Sequence, residues 1–278
     1  MINSQYKKVY LSTLLISVIV GIILIGLLYF FNWPSIIQSY NENEGALGVV
    51  LVILSRIIIV SGMTFYTFYQ WFKQEEQYFS DLPFLFGLFF MLLVFGKTLD
   101  LFIDFIYQLE EFMFLMMVKI RFLIMILDFL PMIYISIGMI LFSLSLKDKN
   151  SSLQDEKHQN KIRVRIILVI ILSEIIAIII VTNISIISIL YPIVVIPSLV
   201  TIVWLFNFAH RNKRLSQVNN KILWIGFAAY LISQIIRPLS QFIIGESPLF
   251  VIFAEAIDLG IFIVIFIGFY KKSNYSVE

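Results

Sequence analysis

Three stretches of this sequence place ionisable and amide side chains inside segments that are otherwise apolar. Lys97, Asp100 and Asp104 stand at i, i+3 and i+7, so on a helix they share one face. Glu255 and Asp258 lie three residues apart and also face together, while Ser233, Gln234, Arg237, Ser240 and Gln241 form one polar stripe. Arg56, Asp128 and Glu174 stand singly in apolar runs. A carboxylate in such surroundings can hold a proton or a cation, and a neighbouring base or amide can orient a polar solute. Each charge costs a few kcal/mol in a bilayer and needs a partner or water. Here six acids face three bases, so one-to-one pairing leaves three carboxylates over, to be protonated, hydrated or bound to a cation. Pro238 follows Arg237 and frees the carbonyl of Gln234, one turn back, to accept a bond from a ligand or water.

Other chemistry is poorly supplied. There is no cysteine, so disulfides, thiolate metal sites and cysteine nucleophiles are excluded. The two histidines, His158 and His210, both fall in polar or basic surroundings, and no metal site is expected. No GxSxG elbow and no glycine-rich phosphate loop occurs. Glu110 and Glu111 together with the Phe206–His210 run superficially offer the acids and histidine of an intramembrane protease, but hydropathy puts them at opposite membrane faces. No enzymatic activity, cofactor or nucleic-acid partner is expected. Trp33, Trp71, Trp204 and Trp224 fall near helix ends and read as an interfacial belt.

The segments that must carry these residues are membrane helices. Of the 278 residues, 60% are hydrophobic and 14% charged, with mean hydropathy +0.95; soluble chains carry about 25% charged residues. The expected class is all-α, a polytopic transmembrane bundle of about eight spanning helices, at roughly 9–31, 46–71, 82–107, 122–146, 164–182, 186–208, 221–244 and 249–270. The first is too long for a signal-peptide core and lacks a small-x-small cleavage site, so it is expected to be retained. The apolar run 112–146 is too long for one crossing and too short for two. It divides into an interfacial stretch near 110–121, carrying Lys119 and Arg121, and a spanning helix bent near Pro131.

Fifteen of the twenty basic residues fall before helix 1, between 2 and 3, between 4 and 5, between 6 and 7, and after 8. By the positive-inside rule both termini are expected in the cytoplasm of a cell-membrane protein. Measured from the opposite helix ends, all nine intramembrane charges fall within roughly 5–15 Å, which points to one outward-facing, net acidic pocket. The polar segment 147–163 is expected as a cytoplasmic linker between a first four-helix unit, 1–146, and a second, 164–278. Bases on helices 3 and 7 and acids on helices 4 and 8 also admit a 4+4 parallel duplication. The pocket suits binding or transport of an ion or small polar solute. A receptor or sensor signalling to a cytoplasmic or membrane protein partner, or a structural subunit of a membrane complex, are the alternatives. The bilayer is the one partner that composition demands.

Overall fold

A computed structural model of the protein describes residues 2–106, 111–147, 155–245 and 247–273. Apolar runs without an interior breaker propagate as helix until a proline, glycine or capping side chain intervenes. The described residues accordingly form nine α-helices and no strand: α1 (Ile2–Phe31), α2 (Trp33–Glu42), α3 (Ala46–Lys73), α4 (Leu82–Phe105), α5 (Glu111–Lys147), α6 (Glu156–Ile180), α7 (Ile184–Arg211), α8 (Asn220–Ile244) and α9 (Pro248–Tyr270). Asn183, Asn219 and Ser247 start α7, α8 and α9 by accepting the backbone N–H three residues on. Asp81 occupies the expected start of α4, but its carboxylate accepts from the N–H of Tyr78 and so closes the preceding turn.

Seven of the helices are long and apolar enough to cross a membrane: α1 over Leu11–Phe31, α3, α4, α5, α7, α8 and α9. The chain is a multi-pass membrane protein. In α6 the apolar run covers only 166–180, about 22 Å of rise. Arg163, Arg165 and Glu174 all fall within its last eighteen residues, which is why it differs from the other seven.

Three local expectations change. The 110–121 stretch is not a separate interfacial element, because α5 is one helix of 37 residues. Nothing between Glu111 and Lys147 breaks it except Pro131, which is accommodated inside; Glu110 itself lies outside the described residues. Second, α2 is an additional short helix, begun by Pro34 in its first turn and burying Ile36 and Ser39. Third, α6 begins eight residues before 164, since Asp155 caps it by accepting from the Lys157 N–H. The expected linker is therefore helical from 156 onward, and 148–154 lie outside the described residues.

The chain divides into two compact units, Met1–Arg121 and Phe122–Glu278. In the first, α3 and α4 pack as an antiparallel pair around aromatic rings: Trp71 against Phe84 at 4.6 Å between centroids, and Phe68 against Phe84 at 5.9 Å. In the second, α8 packs on both α7 and α9. Along α8 and α9 the contacts form a regular ladder. A Cβ on Gly268 would stand 2.9 Å from the Leu223 backbone nitrogen, and one on Gly226 would stand 2.7 Å from Ile265 Cγ1. Next come Tyr230 and Phe262, with rings 5.2 Å apart, then Ser233 with Asp258, and last Arg237 with Glu255. The rungs advance three or four residues on each helix, as antiparallel packing requires. One end of the pair is thus held by close backbone approach and the other by charge.

Candidate functional site

Most of the polar residues singled out by the sequence gather in two clusters, one in each unit. The first surrounds Asp100 on α4. Its two carboxylate oxygens accept from one guanidinium, Arg121 Nε to Oδ1 at 2.5 Å and Arg121 Nη2 to Oδ2 at 3.0 Å. This two-pronged geometry is the strong form of an arginine–carboxylate pair. Gly96 makes room for it, since a Cβ there would lie 3.1 Å from the Arg121 guanidinium carbon. Lys97 Nζ stands 4.0 Å from Asp100 Oδ2, and Arg56 on α3 lies within electrostatic reach of the same carboxylate. Both bases are buried, at 8% and 7% exposure. Asp104, at the end of α4, has its side chain exposed. Tyr29 of α1 packs near this face, donating its hydroxyl to the Thr98 carbonyl at 2.9 Å.

Arg121 is absent from the expected pocket, because the stretch that holds it reads as interfacial. Its place beside Asp100 follows from the continuity of α5, which no local pattern announces. Around Asp100 itself three bases, Arg121, Lys97 and Arg56, act on one carboxylate.

The second cluster reverses that balance. Arg237 on α8 donates from Nη2 to Glu255 Oε1 at 2.8 Å and from Nη1 to Asp258 Oδ2 at 3.3 Å, both on α9. Ser233 Oγ donates to the other oxygen of Asp258 at 2.7 Å. Glu255 is fully buried and Asp258 is 1% exposed, while the Arg237 side chain retains 30% of its exposure. Gln234 accepts from the Tyr191 hydroxyl of α7 at 2.8 Å, so the α8 stripe reaches α7 as well as α9. Arg237 thus meets both acids of α9, Glu255 and Asp258, while Asp100 is engaged by Arg121.

Compared with known protein families, curated proteins and solved structures, the chain matches none. Its function must be read from geometry.

The remaining expected residues are less concentrated. Asp128 is buried at 2% exposure and lies about 26 Å along α5 from its start at Glu111. Glu174 on α6 is half-buried, and its Oε2 has no hydrogen-bond partner. Gln241 lies one turn beyond Arg237 with its side chain exposed. His158 is exposed and His210 sits in the last turn of α7. Among the described residues no group of three histidine, cysteine or acidic side chains is placed to hold a metal ion.

Proposed function

We propose that this membrane protein binds, and in one form of the reading transports, a small cation or a proton at the Arg237–Glu255–Asp258 cluster. One observation carries the reading: two buried carboxylates, Glu255 and Asp258, converge on the Arg237 guanidinium among helices long enough to span a bilayer. A carboxylate in that position takes up a proton or a cation to offset the charge. Ser233 and Gln234, both in the same stripe, supply oxygen atoms for a desolvated cation. Counting about seven residues from the α8–α9 connection places the cluster about 10 Å from that end of the helices.

The test uses the purified protein in neutral detergent with sodium, potassium, magnesium and tetramethylammonium as chloride salts, together with a pH series. A cation that binds only the folded protein raises its melting temperature in proportion to the logarithm of its concentration. Asp258→Asn removes one of the two carboxylate charges and leaves the Arg237–Glu255 pair in place. We expect at least one of these cations, or the proton, to stabilise the native protein selectively and to lose that effect in Asp258→Asn. Identical responses of the two proteins would sink the proposal and favour the alternative readings, a sensor module or a structural subunit in which the charges only clamp α8 to α9.

Orientation belongs to the same reading. We place both termini in the cytoplasm of a cell-membrane protein, with α6 as a short eighth crossing between the seven long ones. Support comes from the basic residues at the shared end of α7, α8 and α9, together with Lys73 at the end of α3. A reporter fused after Glu278 should then behave as cytoplasmic, and one inserted at 43–45 as external. Opposite behaviour of the first would mean seven crossings.

A further inference from the structure

At the opposite end of the second unit from the charge cluster, two segments bring six bases together. Arg211, Lys213, Arg214 and Lys221 belong to the α7–α8 connection and its flanks, and Lys271 and Lys272 follow α9; all six are exposed. Neither 209–221 nor 268–273 contains an acidic residue. A basic loop is normally a loose, solvated one, but this one is held. The buried Asn220 side chain donates to the carbonyls of Arg214 at 2.6 Å and Leu215 at 3.1 Å. The Arg214 N–H donates to the Ala209 carbonyl at 2.8 Å, and the Arg214 guanidinium lies 5.0 Å from the centre of the Phe142 ring.

The segment after α9 is tied to the same loop. Asn219 donates its N–H to the Gly268 carbonyl at 2.8 Å, Ser273 donates its N–H to the Ser216 carbonyl at 3.3 Å, and the Ser273 hydroxyl donates to the Val218 carbonyl. Lys213 and Leu215 both adopt φ of 52°, in the left-handed region that side chains other than glycine and asparagine rarely enter. At Lys213 this is the left-handed position of the α7 cap, closed by the Lys213 N–H to the His210 carbonyl at 3.3 Å and by the Arg214 bond to Ala209, which together fix how the chain leaves the helix.

We propose that this end of the unit is a binding site for the headgroup of an anionic phospholipid. The chemistry of the neighbouring surface favours a lipid over a soluble anion. The helices that carry these bases expose Tyr270, Ile267 and Ile263 on α9 and Ile225 on α8 within about 12 Å of rise from them, with Trp204 further along α7 and stacked on Phe208. A phosphate at the ammonium groups would therefore lay its acyl chains along an apolar flank. Bases, interfacial aromatic rings and apolar surface in that order match an amphiphile lying with its headgroup at the membrane surface. An acidic protein partner would use the charge and leave the flank unused. The site does not depend on the cation reading of the Arg237 cluster.

The experiment is native mass spectrometry of the full chain released from neutral detergent, titrated with phosphatidylglycerol and separately with phosphatidylcholine. The native protein should retain phosphatidylglycerol preferentially. The triple variant Lys213→Gln/Lys271→Gln/Lys272→Gln should lose that preference by roughly a hundredfold, since each base near a headgroup contributes about fivefold. Lys157→Gln/Lys161→Gln, on α6, should leave it unchanged. Lys213→Gly relaxes the strained backbone while removing one charge, so it should retain or gain thermal stability and still weaken retention. Unchanged retention in the triple variant, an equal loss in the α6 pair, or full displacement of the lipid by inorganic phosphate alone would overturn the proposal.

Discussion

Replacing Arg237 by glutamine is expected to lower the stability of the protein by about 3–5 kcal/mol. The loss is large because the substitution strands two carboxylates, Glu255 with no exposed surface and Asp258 with almost none. Each then loses its guanidinium in a low-dielectric interior, and the Ser233 hydroxyl that donates to Asp258 is a neutral donor that offsets little of that loss. The double variant Arg237→Gln/Glu255→Gln should recover part of the loss, because one of the two stranded charges is gone. Adding Asp258→Asn should recover more. The order of melting temperatures in detergent checks this directly: native highest, the triple variant next, then the double, with Arg237→Gln lowest. A melting temperature for Arg237→Gln equal to that of the native protein would mean that the guanidinium contributes nothing to holding α8 and α9 together.

Gly268→Leu should be nearly as damaging, by a different mechanism at the other end of the same helix pair. The obstacle at Gly268 is the backbone nitrogen of Leu223, 2.9 Å from where a Cβ would sit, and a backbone cannot rotate out of the way as a side chain does. Overpacking of this kind costs about 1–3 kcal/mol for a small insertion, and a leucine should exceed that. At Gly226 the nearest obstacle is the Ile265 side chain, which has a rotamer to give, although the Ile265 backbone nitrogen follows at 3.3 Å. Gly226→Ala should therefore be tolerated better than Gly268→Ala, a ranking that thermal unfolding of the four variants, including Gly226→Leu, would establish. Wedging this end apart should also draw Arg237 away from its carboxylates, so Gly268→Leu and Arg237→Gln should fall short of additivity when combined. Full additivity would show that the two ends of the pair are held independently.

Composition and helical periodicity suffice to say what kind of molecule this is. Long runs with almost no charge have only one stable resolution in a bilayer, since a helix satisfies every backbone hydrogen bond within its own segment. Helix type and approximate position are therefore legible for α1, α3, α4, α7, α8 and α9, and the side-chain caps at Asn183, Asn219 and Ser247 stand where turn residues interrupt apolar runs. The i, i+3 and i, i+4 spacings place Glu255 with Asp258, and Ser233 with Arg237, because helical geometry sets which residues share a face regardless of what surrounds them.

Which faces meet is a matter of packing, and no local pattern contains it. Arg121 is 21 residues from Asp100 along the chain, and nothing nearby in sequence marks the two as partners. Their pairing requires α5 to continue unbroken through 111–121 and Gly96 to leave space on α4. The division of the polar residues into one base-rich and one acid-rich cluster has the same origin, because charge counted along a sequence carries no information about distance. Hydropathy likewise reads α6 by its apolar tail, whereas its start at Glu156 depends on a single capping bond from Asp155. The close approach of Gly226 to α9 and of Gly268 to α8 is equally hidden: a glycine in an apolar helix looks the same whether it faces lipid or a neighbouring backbone, and the packed structure is what distinguishes the two.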